Sequence, residues 1–164
     1  LAEKNREAYI EYVGTTLNNL AALQKNIRKY DEAEKNYTEA LGIRRGLAEK
    51  NREAYIEDVG TTLNNLAVLQ RDIKQYDEAE KNYRKALTIA EELAKKNKAV
   101  YADSLVLQLN NLAEVQLDLK KKDEARKNLE RAFEICQDNL GTGLIDSLQY
   151  EENKRLLDLL KNSK

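Results

Sequence analysis

The chain has 164 residues, of which 35% are charged, yet its formal net charge is only −1, so the two signs are interspersed. That balance argues against the basic stripe of a nucleic-acid binder, and no apolar run approaches the roughly 18 residues that a membrane span needs. With no histidine and one cysteine, Cys136, the chain has neither an internal disulfide framework nor a ligand set for structural zinc.

Proline is absent and glycine occurs six times, while Ala, Leu, Glu, Lys, Gln and Arg dominate, which predicts an all-α fold. The apolar residues are periodic rather than sparse, so the chain is not disordered. No signal peptide is visible, and the expected location is the cytoplasm. No cofactor, metal, nucleic acid or membrane is expected as a partner. The chain starts at Leu1 and contains no methionine. It reads as a piece of a longer array, a processed chain or a designed consensus protein.

From the N-terminus, Leu1 to Glu11 return letter for letter as Leu47 to Glu57, and residues 1–46 match residues 47–92 at 34 of 46 places. A looser copy starts at Leu93, where Leu109-Asn110-Asn111-Leu112-Ala113 follows Leu63 to Ala67 by 46 residues. A fixed period of this size means stacked supersecondary units, because one unit cannot bury its apolar face alone. The predicted organisation is three repeats over 1–46, 47–92 and 93–138, then a linker and a capping helix over 139–164.

Within the first repeat, Ile10, Val13, Leu17, Leu20, Ala21 and Ile27 fall at three- and four-residue steps, one face of a first helix. After a phase break at Ile27 to Asp31 the stripe restarts as Ala33, Tyr37, Ala40, Leu41, Arg44 and Leu47. Asp31 is the expected N-cap, with Glu34 as its capping-box partner. Asp77 with Glu80 repeats the arrangement, and Asp123 with Arg126 keeps the cap alone. Each repeat is thus a hairpin of two helices of about 20 residues. The links between hairpins are Asn5-Arg6-Glu7, Asn51-Arg52-Glu53 and Asn97-Lys98-Ala99. In the tail, Leu140-Gly141-Thr142-Gly143 is the clearest break. Beyond it, Leu144, Leu148, Leu156, Leu157 and Leu160 form an apolar stripe, with Glu151, Glu152, Lys154, Arg155 and Asp158 as the polar face. This is a capping helix, or else a degenerate first helix of a fourth repeat.

The spacing Leu17-x-x-Leu20-Ala21 followed by Tyr30-x-x-Ala33-x-x-x-Tyr37-x-x-Ala40 resembles the tetratricopeptide repeat. The second copy carries it through Leu63, Leu66, Ala67, Tyr76, Ala79, Tyr83 and Ala86, and the third through Leu109, Leu112, Ala113, Ala125 and Ala132. The strings Thr-Leu-Asn-Asn-Leu-Ala and Tyr-Asp-Glu-Ala-Glu-Lys are most similar to the long-period repeats of kinesin light chains and their prokaryotic relatives. The resemblance implies a right-handed α-solenoid, a superhelix of antiparallel helical hairpins, with the C-terminal helix as cap. In it, alanines let helices approach and tyrosines or leucines fill the space beside them. Three departures stand out. The period is 46 rather than 34, adding about three helical turns. The turn glycine is replaced by Arg28, Lys74 and Lys120, and the proline after the second helix is missing, so helix ends are expected to run on.

Catalysis is not expected. No histidine is present to act as a general base near neutral pH. The carboxylates sit beside basic residues, as in Glu32/Lys35 and Glu80/Arg84, and read as solvated faces. Cys136 lacks a histidine to activate it and reads as a structural thiol. Tyr30, Tyr37, Tyr76 and Tyr83 read as core.

The paired asparagines remain. Asn18-Asn19, Asn64-Asn65 and Asn110-Asn111 lie between core leucines, where asparagine is a mediocre helix former. The resemblance implies that the first helices line a concave groove and that the second asparagine bonds a bound peptide's backbone, for which an amide has both donor and acceptor. The other reading of these amides is as bonds between neighbouring helices. Further along the same face stand Ala22, Lys25 and Asn26, then Val68, Arg71 and Asp72, then Leu107, Glu114 and Leu117. Leu107 and Leu117 contact a ligand, or are covered by the C-terminal helix or another copy. Relatives that hold acidic C-terminal tails of heat-shock chaperones use a clamp of Lys, Arg and Asn. The matching positions here are Asn18, Ala22, Asn65, Leu107 and Asn111, of which only Asn65 is of the right type.

The function expected is a non-enzymatic scaffold that binds a peptide or a partner helix in that groove. The alternatives are an array that stacks end to end, forming a homo-oligomer through an N-terminal edge at Ile10, Val13 and Leu17, and an engineered repeat protein without a natural ligand.

Overall fold

The regular spacing of helix formers and the breaks every 20 to 25 residues are realised as helices throughout. The computed structural model describes residues 2–139 and 142–162, with side chains over 6–139 and 142–161. These residues form α1 (Ala2–Asn26), α2 (Tyr30–Lys50), α3 (Arg52–Asp72), α4 (Tyr76–Lys96), α5 (Lys98–Asp118), α6 (Lys122–Asp138) and α7 (Ser147–Asn162), with no strand among them. α1 packs on α2 and α2 on α3, and likewise α5 on α6 and α6 on α7, and the chain divides into two units, Leu1–Asn82 and Tyr83–Lys164, at a point inside α4.

The turns inside the hairpins are closed without glycine. Arg28, Lys74 and Lys120 adopt left-handed backbone, with φ of 62°, 64° and 62°. At each, the following N–H reaches back five residues (Lys29 to Gln24 O, 2.8 Å; Gln75 to Gln70 O, 2.8 Å; Lys121 to Gln116 O, 2.7 Å). The left-handed residue itself bonds three residues back (Arg28 to Lys25 O, Lys74 to Arg71 O, Lys120 to Leu117 O, each 3.0 Å). This is the Schellman pattern, in which the last carbonyls of a helix are satisfied. The helices therefore stop where a glycine would have stopped them and do not run on. The positive charge beside those carbonyls suits the negative end of the helix.

The same turn displaces the expected N-cap. In α2 the first helical bond is Ala33 N–H to Lys29 O, so Lys29 is the cap, without a side-chain bond, and Asp31 lies inside the first turn. Asp123 likewise lies one residue inside α6, which Lys121 caps, and Asp77 lies one residue inside α4. These acids face the positive helix end rather than capping it, and Glu34 accepts from Gln70 (3.3 Å) instead of closing a capping box. Side-chain capping occurs at the links between hairpins. Asn51 accepts from Ala54 N–H and Asn97 from Val100 N–H, both at 3.2 Å, each as the single residue between two helices. At Asn5 the chain is already helical.

In the first unit, Ala21, Ala33, Ala40, Ala67 and Ala79 are fully buried beside Tyr37, Leu63 and Leu69. The small residues let the helix axes approach and the large ones fill the remainder. Tyr37 and Tyr83 are buried as expected, whereas Tyr30 and Tyr76 are half-buried. The apolar stripe of α1 is turned from its expected setting. Ile10, Val13 and Leu17 are half-buried, while Leu20 and Ile27 are exposed. Their counterparts 46 residues on, Leu66 and Ile73, are buried and half-buried.

Polar bonds fix how the helices register. Asn36 donates to Gln24 (2.7 Å), Asn82 to Gln70 (2.8 Å) and Asn128 to Gln116 (2.8 Å), one amide pair per hairpin at the repeat spacing. Between α2 and α3, buried Arg44 donates to Thr62 Oγ1 (2.7 Å) and Asp58 O (3.1 Å) and lies 3.6 Å from the Asp58 carboxylate. A guanidinium in an otherwise apolar stripe is tolerated because it has these partners.

In the second unit, Ala90, Leu105, Val106, Leu109, Ala132 and Cys136 form one cluster, with Ile145 and Tyr150 against it. Ala113, Ala125, Leu129, Leu156 and Leu160 form another. Asp146 starts α7, accepting from Leu148 N–H (2.9 Å) while its own N–H donates to Asp103 (2.9 Å). Of the expected apolar face of α7, Leu156 and Leu160 are buried and Leu157 is half-buried, but Leu144 precedes the helix and Leu148 points to solvent. The missing member is Asn153, fully buried, whose amide donates to Asn110 Oδ1 and Leu129 O, both at 2.9 Å. Leu140 and Gly141 of the predicted break lie outside the described residues.

Three outcomes are expected. Arg28→Gly, Lys74→Gly and Lys120→Gly should each stabilise the protein by about 1 kcal/mol, read as a higher urea midpoint, because only glycine takes positive φ without strain. Asn153→Ala should cost about 2 kcal/mol and render α7 sensitive to protease, since two buried acceptors lose their donor. Burial, with Asp103 adding, pushes the Cys136 thiol from 9.0 up to about 11. It should therefore resist thiol reagents until the protein unfolds. Because the folded value is the raised one, its contribution to stability is present below pH 9.0 and falls as the pH rises toward about 11.

Candidate peptide-binding face

The first helices of the hairpins position the residues at issue. In the first unit, α1 and α3 lie side by side on the face that bears Asn18, Asn19, Ala22, Lys25 and Asn26 from one and Asn64, Asn65, Val68, Arg71 and Asp72 from the other. Two contacts bring them together. Asn65 Nδ2 donates to Asn18 Oδ1 at 3.3 Å, and Lys25 Nζ lies 3.5 Å from Asp72 Oδ2. Each joins a residue of α1 to one 47 positions later on α3.

Within each asparagine pair the two positions differ. Asn18 is buried and donates to Asn19 Oδ1 (3.4 Å) while accepting from Asn65. Asn110, its counterpart two repeats on, is also buried and donates to Gln149 O (3.3 Å) and Gln149 Oε1 (3.4 Å) while accepting from Asn153. Both therefore serve as bonds between helices. The second members are more open: Asn19 is exposed, and Asn65 and Asn111 are half-buried. Asn64 is half-buried as well.

Further along the first unit, Asn26 and Asp72 are exposed, and Ala22, Lys25, Val68 and Arg71 are half-buried. Half-burial of a long basic side chain packs its stem and leaves its head to water. In the second unit, Leu107, Glu114 and Leu117 on α5 are half-buried. Leu117 packs against the cluster that holds Leu156 and Leu160 of α7, so the C-terminal helix accounts for it. Gln149 and Asn153, the partners of Asn110, were not anticipated from sequence. The available signal was that Asn153 falls in phase with Leu156 and Leu160 on the apolar side of the helix.

The arrangement offers amide donors and acceptors, the Lys25–Asp72 ion pair and small or aliphatic side chains between them. No helix among the described residues is long and apolar enough to cross a membrane.

The family model of the tetratricopeptide repeat matches residues 12–92 and again residues 58–138. No curated protein matches the chain in sequence. Among solved structures, the first such domain of Spaghetti (RPAP3), bound to the HSP90 peptide SRMEEVD, is similar with a TM-score of 0.63 and 18% identity over 93% of this chain and 94% of that one. BtubC (BKLC) from P. vanneervenii is similar with a TM-score of 0.65 and 22% identity over 90% of this chain, which spans 61% of that protein. The Sgt2 domain of the same type from Aspergillus fumigatus gives 0.59 and 17% over 90% of this chain and 76% of that one. At these identities the likeness concerns the fold. The family match runs from the first helix through the sixth, and the chain belongs to the tetratricopeptide repeat family, whose members are protein-interaction modules.

Proposed function

We propose that this chain is a non-enzymatic interaction module that holds an extended peptide along the first-helix faces. The residues that would contact it are Asn19, Ala22, Lys25, Asn26, Asn65, Val68, Arg71 and Asp72 in the first unit. On α5 of the second, Asn111 and Glu114 stand where Asn19 and Ala22 stand on α1, and Leu107 stands where Thr15 does. The observation that carries this reading is the contrast within the asparagine pairs. Asn18 and Asn110 are buried in bonds between helices, whereas Asn19 is exposed, and Asn65, which gives one bond to Asn18, and Asn111 remain partly accessible. An amide repeated at 46-residue intervals suits an extended chain whose N–H and C=O groups are unpaired.

One structural neighbour is bound to an acidic HSP90 peptide. An acidic tail needs lysine or arginine at the clamp positions, and Ala22 and Leu107 provide neither, so the peptide here is of another composition. The mixed pair Lys25 and Asp72 favours a ligand with both signs over a uniformly acidic one.

The test is a peptide-display selection followed by fluorescence anisotropy on the enriched peptide. The Asn19→Ala, Asn65→Ala, Asn111→Ala triple variant should bind at least about tenfold more weakly, each lost bond being worth about 1 kcal/mol, with helical circular dichroism retained. The Ala22→Arg, Val68→Arg variant removes no bond between helices and should also lose the peptide. Unchanged binding by both variants would move the site to another face.

A further inference from the structure

Three contacts fix how α1 and α3 lie against each other. Glu11 accepts from Tyr55 (3.3 Å), Asn65 donates to Asn18 (3.3 Å) and Lys25 pairs with Asp72 (3.5 Å). Their order is the same along both helices, so the two run parallel. Residues that share a place in the 46-residue period therefore stand nearly side by side, in rows that cross the pair.

On the face that bears Asn19 the rows differ in chemistry. Glu11 and Glu57 form the first, Thr15 and Thr61 the second, Asn19 and Asn65 the third, and Ala22 and Val68 the fourth. Steps of four, four and three keep them on one face of each helix and set the rows about 5 Å apart. The glutamates, the threonines and Asn19 are exposed, while Asn65, Ala22 and Val68 are half-buried. The amide row thus runs between a hydroxyl row, backed by carboxylates, and an aliphatic row.

An extended chain seated on the amides turns one hydrogen-bonding edge toward them, and its side chains then project alternately to the two sides. Packed helices stand about 10 Å apart and an extended residue spans about 3.3 Å, so the pair of helices takes about six residues. On one side these side chains meet the threonines, with the glutamates one turn beyond. A lysine or arginine lays its stem over the hydroxyls and brings its head to Glu11 and Glu57. Such a head carries only donors, which suits hydroxyl and carboxylate acceptors. On the other side the side chains meet Ala22 and Val68, with the Lys25–Asp72 pair next along the helices. That row offers a shallow aliphatic surface, suited to alanine or valine rather than to a large ring.

We infer, on the reading that the asparagines seat an extended peptide, that the segment crossing the first unit alternates lysine or arginine with small apolar residues. The basic side chains lie toward the N-terminal ends of α1 and α3. Charge complementarity of this kind fixes which way up the peptide sits, because a half-turn about its own axis would place the cations on the aliphatic row.

Selection from an unbiased peptide-display library, with fluorescence anisotropy on the enriched peptides, tests this. Enriched sequences should carry Lys or Arg at every second position over about six residues, with Ala or Val between. Exchange of two such basic residues for glutamate in the peptide should weaken binding at least about tenfold. Glu11→Lys/Glu57→Lys, both at exposed sites, should keep its helicity and invert that preference, so that the glutamate peptide binds this variant better than the original peptide does. Peptides that depend on Asn19, Asn65 and Asn111 yet show no alternation, or that keep their preference for basic residues against the reversed variant, would overturn the inference and leave the reading of the face standing. Peptides bound equally by the triple asparagine variant, or a selection that enriches none, would overturn both.

Discussion

A first helix in this chain has two sides that water disfavours, and its own second helix can cover only one of them. The other must be covered by the hairpin before it. On α3 this is done by α2, and the cover is specific, with Arg44 inserted between Asp58 and Thr62. On the α5–α6 pair the outward side is closed by α7 through Leu156, Leu160 and Asn153. Among the described residues nothing covers that side of α1. Fold and cap both follow from that requirement.

Apolar burial alone does not set where helices stop sliding along one another. The amide pairs Asn36–Gln24, Asn82–Gln70 and Asn128–Gln116 supply that register. A buried amide left without its partner costs more than a bond gains, so a slip of one turn is penalised at each hairpin. The asparagines at 18 and 110 do the same between hairpins and are lost to ligand binding for that reason. Asn19 and Asn111, one residue on and turned by about 100°, retain part of their surface, as does Asn65 on α3.

The period, the hairpins and the alanine–tyrosine packing were legible in the sequence because they depend on spacing within one repeat. What was not legible depends on neighbours. Leu23 and Leu69 sit in nearly identical strings, yet one is exposed and the other fully buried, because only the second has α2 over it. The cap positions were misplaced by two residues because Arg28 takes a conformation usually left to glycine, and nothing in its side chain announces that. Asn153 was hidden among charged residues of α7, although its phase with Leu156 pointed inward. For the candidate face, the asparagine pairs were visible, but which member is engaged between helices was set by the geometry of the next helix.

The joints between hairpins consist of one residue each, Asn51 and Asn97. Such a joint has no slack in which to hide an added or deleted residue. A single insertion would rotate every later side chain on its helix by about 100°, turning alanines out and charges in. Only an insertion of a whole 46-residue period leaves all faces where they were. The chain can therefore lengthen by copying a complete hairpin far more readily than by gradual growth. The 34 matches between its first two repeats are the trace that such a step would leave.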